Sequence, residues 1–169
     1  ITKANEKLRQ VITDAYRRGG KIIVPAFSVG RTQELVYAIH QLVNDKAIPD
    51  LPVYVDSPLS VNVTQIFRMH PECFDRETLA YLYEGEDPFG FQRMTYIRTV
   101  EESRELNSIK VPCIIISSSG MCEVGRILHH LKNNIEKENN TILITGFQAE
   151  NTLGRRIVNR EPRVRIFGD

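Results

Sequence analysis

With 169 residues, 41% of them hydrophobic and 25% charged, the chain can bury one real core, which excludes disorder and makes a single domain the expectation. A net charge of +1 excludes a free-standing, strongly basic nucleic-acid binder, and the apolar runs are too short for a transmembrane helix or a secretory h-region. Cys73, Cys113 and Cys122 are odd in number and lack CxxC spacing, which fits reduced structural thiols, so a cytoplasmic setting with no membrane contact is expected.

In chain order, Ala4, Leu8, Val11, Ile12 and Ala15 recur at helical spacing, and Gly19-Gly20 stops that helix. Lys21–Val24 is a short β-branched strand ended by Pro25, and the loop to Arg31 leads into a helix with Leu35, Ile39, Leu42 and Val43 as its buried stripe. Val53–Val55 is the second strand. It runs into Asp56-Ser57-Pro58, where Ser or Asp can cap the next helix and Pro58 suits its first turn. Leu59, Val63, Ile66, Phe67 and His70 mark that helix, stopped at Pro71. Residues 72–92 read as a helix plus a long surface excursion, then Met94–Thr99 as a strand and Val100–Leu106 as a short helix. The strand Val111–Ser117 follows, then a helix carrying Ile127, Leu128, Leu131 and Ile135, a strand at Thr141–Thr145 and a short helix at Leu153–Val158. Val164–Phe167 reads as the start of a further strand, and Arg155, Arg156, Arg160, Arg163 and Arg165 crowd the C-terminal end. A chain that opens on Ile1 and closes in a nascent strand reads as a piece of a longer protein.

This βαβα alternation predicts an α/β fold: a Rossmann-like open, mostly parallel sheet with helices on both faces. In such a sheet the loops after the strand C-termini share one edge, where ligands bind. The organising stretch is Pro112–Gly125, in which Ile114-Ile115-Ile116 breaks into Ser117-Ser118-Ser119-Gly120 before a helix resumes. Pro25–Arg31, Asp56–Pro58 and Gly146–Gly154 are the companion loops. With Arg31, Arg126 and Arg155 at the helices that follow, these turns predict an anion-binding rim. Asp56 is the only carboxylate in a plausible catalytic position, yet no partner acid or base is visible, and a helix cap is its expected role. Cys122 has no assignable base for a nucleophile. The histidines His40, His70, His129 and His130 lack metal-ligand spacing.

Four blocks carry a resemblance. Gly19–Glu34 (GGKIIVPAFSVGRTQE), Val55–Leu59 (VDSPL), Ser118–Arg126 (SSGMCEVGR) with His129-His130, and Gly146–Arg155 (GFQAENTLGR) together resemble the β-CASP domain, the insertion within metallo-β-lactamase-fold nucleases of RNA processing. The likeness spans essentially 19–168 and keeps the motif order. Val124 and Asn151 stand where that family usually carries glycine, and Phe147 replaces a common tyrosine, so local loop geometry is where this chain is expected to differ.

The resemblance implies that residues 1–169 are one β-CASP domain of a larger metal-dependent ribonuclease, gripping single-stranded RNA over an active site on the parent's own metallo-β-lactamase domain. Two zinc ions held by an HxHxDH-type cluster are expected in that parent and no cofactor or metal in this chain, whose isolated form is expected to be inactive. A homodimer of the parent is compatible with the resemblance. No catalytic residue is expected here; the expected RNA or phosphate contacts are Phe27, Ser28, Arg31, Ser57, Ser117, Ser118, Ser119, Gly120, Met121, Arg126, Gln148, Thr152 and Arg155. Two other readings use the same edge or none: a stand-alone Rossmann-like enzyme for a nucleotide or sugar phosphate, which would lack both GxGxxG and GxxxxGK[ST], and a catalytically silent protein-interaction module.

Overall fold

A computed structural model describes residues 2–169. Five strands, β1 (Ile22–Pro25), β2 (Val53–Asp56), β3 (Met94–Ile97), β4 (Ile114–Ser117) and β5 (Thr141–Ile142), form one sheet in the order β3-β2-β4-β1-β5, and every pairing is parallel. Seven α-helices surround it among the described residues: α1 (Lys3–Arg17), α2 (Arg31–Asn44), α3 (Pro58–Met69), α4 (Arg76–Tyr83), α5 (Val100–Glu105), α6 (Arg126–Asn134) and α7 (Leu153–Val158). None of the helices is long and apolar enough to cross a membrane.

Strand alternation divides the core in two. Ile22, Val24, Val53, Val55, Ile114 and Ile116 meet Ile12 and Ala15 of α1 and Leu35, Val36, Ile39 and Leu42 of α2. Ile23, Ile115 and Cys113 face the other way, against Leu106, Ile127 and Leu131 of α6, and Leu153 of α7. With a helical layer on each side, β1 and β4 are buried along their whole length, which is why they read as uninterrupted β-branched runs.

Helix ends follow local chemistry. Thr2, Ser57, Asp75, Thr99 and Thr152 each accept a backbone N–H at the start of α1, α3, α4, α5 and α7, and Glu102 completes a capping box with Thr99. The cap of α3 is thus Ser57, and Asp56, read above as a helix cap, is left for another purpose.

Three stretches differ from expectation. β5 covers two residues rather than Thr141–Thr145: Thr141 and Leu143 donate to the carbonyls of Lys21 and Ile23, but Pro25 has no N–H to continue the ladder. Residues 164–167 form no strand; they turn back so that Ile166 enters the second core while Phe167 turns outward at a positive φ of 59°. The excursion over 72–92 is more than surface. Its Phe89 is buried against Phe67 and Phe74, with ring centroids 5.8 and 5.7 Å away, and a two-armed Arg68–Asp87 pair anchors the return.

The order of the strands also positions a crevice. From β1 to β2 to β3 the chain steps toward the β3 edge, whereas from β3 to β4 to β5 it steps back, so the connections leaving the neighbours β2 and β4 diverge. At such a divergence the loops part and a groove opens at the carboxyl ends of the strands.

Candidate functional site

Register puts the turns level with one another. Pro25 and Asp56 both lie opposite Ser117, so the loops leaving β1, β2 and β4 begin on one line. Ser117 is itself buried and works as a tie, its Oγ donating to the Asp56 carbonyl at 2.7 Å while its own carbonyl accepts the Ala26 N–H at 3.0 Å. Just beyond that line, the hydroxyls of three loops meet. Ser118 Oγ donates to Ser57 Oγ at 2.9 Å, and Ser28 Oγ lies 3.3 Å from the same oxygen. Ser119 closes its own loop, its Oγ accepting the N–H groups of Glu123 and Val124 at 3.1 and 3.3 Å.

These residues line one groove of about 520 Å³, formed by Phe27, Ser28, Val29, Leu59, Ser118, Ser119, Val124 and Gly125. Its floor is close-packed. A Cβ added at Gly120 would sit 2.7 Å from the Phe27 ring, so only glycine lets that ring lie where it does. Phe27 remains 41% exposed, and Phe147 on the neighbouring β5 loop is 72% exposed.

Behind the groove sits a buried ionic knot. Asp56, fully buried at the end of β2, accepts from Ser103 Oγ at 2.5 Å, Arg126 Nη1 at 2.7 Å and His130 Nε2 at 2.6 Å. Burial pushes its carboxyl up, but the hydrogen bonds from His130, Ser103 and Arg126 outweigh that and hold it below the usual carboxylate range. Arg126 and His130 stand one helical turn apart on α6, and that spacing aims both at the same strand end. His130 Nδ1 is buried without a partner, which suits the tautomer whose proton is on Nε2, facing Asp56. The neighbouring His129 points outward and packs on Phe167 at 4.6 Å.

The other expected contacts hold the loops together. Gln148 is buried at 2% exposure; its amide nitrogen donates to the carbonyls of Gly120 and Phe147 at 2.9 and 3.0 Å and so staples the β5 loop to the β4 loop. The Met121 carbonyl accepts the Gly154 N–H at 3.0 Å, and Thr152 caps α7. Arg155 Nε donates to the Gln148 carbonyl at 2.9 Å, with the Phe147 ring 5.9 Å from the guanidinium. Of the three rim arginines, Arg126 is spent on Asp56 and the Arg98 carbonyl, and Arg155 on Gln148; Arg31 faces solvent beside Glu34 at 2.7 Å. The rim is therefore hydroxyl and apolar rather than arginine-lined.

Sequence reasoning paired neither Asp56 with His130 nor the apolar walls Val29, Leu59 and Val124 with the serines. The Arg126/His130 spacing on one helix face was the available signal. Cys122, beside the groove, is fully buried and its thiol is pushed up to about 12 by burial, which removes it as a nucleophile. The two glycine-to-side-chain departures resolve differently. Asn151 adopts a positive φ of 66°, which Asn tolerates, whereas Val124 is not among the residues of positive φ.

Among the described residues no three His, Cys, Asp or Glu side chains converge to hold a metal ion. Asp56 spends both oxygens on protein donors, so the knot does not fit zinc.

Comparison with known proteins gives concordant matches. A family model described as the Beta-Casp domain matches residues 32–157. Ribonuclease TTHA0252 of Thermus thermophilus is 32% identical over 160 residues, covering 95% of this chain and 37% of that protein. An RNase J-like protein of Methanocaldococcus jannaschii is 31% identical over 161 residues, 95% of this chain and 36% of that protein. Transcription termination factor FttA of Methanosarcina mazei is 31% identical over 158 residues, 93% of this chain and 25% of that protein. The chain thus spans from 25% to 37% of the length of these relatives.

Proposed function

The chain belongs to the Beta-Casp domain family, and on that premise we propose that it is the substrate-binding cap of an RNA-processing ribonuclease, holding single-stranded RNA at the strand-end rim. Relatives named as a ribonuclease and as RNase J-like support the substrate class. The carrying observation is the convergence of Ser28, Ser57 and Ser118, from three separate loops, at one crevice of an all-parallel sheet. Hydrolysis, with its two zinc ions, is assigned in this proposal to a metallo-β-lactamase domain outside these residues.

The test is binding of short single-stranded RNA to the 169-residue chain, followed by fluorescence anisotropy over a salt series. Weak binding is expected, with no strand cleavage. Because Arg126 and Arg155 are committed within the fold, few phosphates are neutralised, and log K should fall against log salt with a slope of only about −1, the value for one or two contacts to a single strand. Failure to bind at low salt, or preference for a duplex, refutes the proposal.

A further inference from the structure

Hydrogen-bond accounting gives the serine cluster a direction. Ser57 Oγ accepts the Ser60 N–H at 3.2 Å and the Ser118 O–H at 2.9 Å, which occupies both lone pairs. Its one proton is then left for Ser28 Oγ, 3.3 Å away. The relay runs Ser118 to Ser57 to Ser28, and the Ser28 O–H is the donor with no acceptor among the described residues. Hydroxyls in series polarise one another, so the terminal one is the stronger donor. Ser28 is half-buried and faces the groove.

The surroundings select what that donor meets. Among the described residues no charged side chain lines the groove. Val29, Leu59 and Val124 form its apolar wall at 62%, 58% and 66% exposure, and the Phe27 ring, wedged over Gly120, offers its open side. A phosphate seated against those walls would lose hydration to hydrocarbon with no charged side chain to offset it. A nucleobase loses little, because it brings a π-face for the ring and acceptors on its edge for the hydroxyl. The volume of about 520 Å³ is ample for one base.

We propose that the groove between Phe27, Ser28, Leu59 and Val124 is a nucleobase pocket, taking one unstacked base with its face on Phe27 and an edge acceptor on the Ser28 hydroxyl. This rests on the cap reading and deepens it: the groove takes a base, and the sugar-phosphate chain passes outside it. Phe147, exposed and backed by Arg155, is a second stacking surface beside it.

The experiment compares the chain's affinity for a short poly-uridine strand with that for the same strand built of abasic ribose phosphates, repeated with Phe27→Leu and Ser28→Ala. Base stacking on an aromatic side chain predicts that the abasic strand binds roughly ten-fold more weakly. Phe27→Leu is expected to erase most of that difference, and Ser28→Ala to weaken poly-uridine about three- to ten-fold without affecting the abasic strand. Both positions are solvent-accessible, and unchanged melting temperatures establish that the variants are folded. Equal binding of the two strands by the unmodified chain overturns the pocket and leaves the cap reading standing. No binding of either strand refutes both.

Discussion

Asp56→Asn replaces one oxygen by an amide nitrogen without changing volume, at a residue that is fully buried and receives three donors at 2.5, 2.6 and 2.7 Å. If the new amide faces Arg126, two donors oppose each other. If it faces Ser103 and His130, the imidazole must accept at Nε2 and carry its proton on Nδ1, a buried atom with no partner. In either arrangement the Arg126 guanidinium, 19% exposed, loses its countercharge. Removing one member of a buried ion pair costs about 3–5 kcal/mol, and partial exposure of Arg126 puts the expectation at the lower end, about 3 kcal/mol. With a urea m-value of about 2 kcal/mol/M, the unfolding midpoint should fall by roughly 1.5 M at neutral pH. The pH dependence has a definite sign. Because the folded carboxyl titrates below its unfolded value of about 3.9, its stabilisation is present above that pH and is lost as pH falls through the folded value. The deficit of the variant should therefore shrink in urea titrations carried out near or below pH ~3. A midpoint within roughly 0.3 M of the unmodified chain at neutral pH, or an equal deficit at both pH values, refutes the reasoning.

Gly154→Ala places a Cβ 1.6 Å from Gln148 Oε1 and 2.9 Å from the Met121 carbonyl, so the stapling amide must move; a loss of about 2–3 kcal/mol, or roughly 4–12 °C in melting temperature, is expected, and an unchanged melt contradicts it. Cys73 is exposed, whereas the thiols of Cys113 and Cys122 are buried and raised to about 11 and 12, so a thiol reagent should label one cysteine in the folded chain and all three in denaturant. Rapid labelling of a second thiol under native conditions would show that the β4 segment opens. At the two positions where the resemblance leads one to expect glycine, Asn151→Gly should leave the urea midpoint unchanged or raise it, since Asn151 already has a φ of 66°, while Val124→Gly should cost about 0.5–1 kcal/mol; the reverse order contradicts the backbone argument.

What could be read from the chain is what is encoded within a turn or a few residues. The buried runs at 22–24 and 114–116 announced strands, Pro58 marked a helix start within the correct turn, and the short helix Leu153–Val158 was legible with its bounds. The four loop motifs gave the shared edge and the family. Features that depend on a distant neighbour were hidden. Thr141–Thr145 has a strand-like composition, and its truncation is dictated by the missing N–H of Pro25 on another strand. Asp56, Ser103, Arg126 and His130 meet only because α5 and α6 pack under the end of β2. Phe89 reads as a loop aromatic until Phe67 and Phe74 close around it. Charge also misled at this range: arginines that looked like an outward-facing rim are drawn inward by Asp56 and by a backbone carbonyl.

The position of β4 between β1 and β2 has a kinetic consequence. Those two early strands never touch; β4, the strand that joins them, begins 92 residues after the start of β1 (114 − 22) and 61 after the start of β2 (114 − 53). During synthesis, everything made before Ile114 therefore lacks its middle plank, with hydrocarbon on both sides of the gap and no ladder to close it. Sequence-distant pairing of this kind is slow to nucleate and leaves sticky intermediates. The polypeptide should accordingly acquire protease resistance in a single late step, and nascent chains halted short of Ser117 should be prime clients for chaperones.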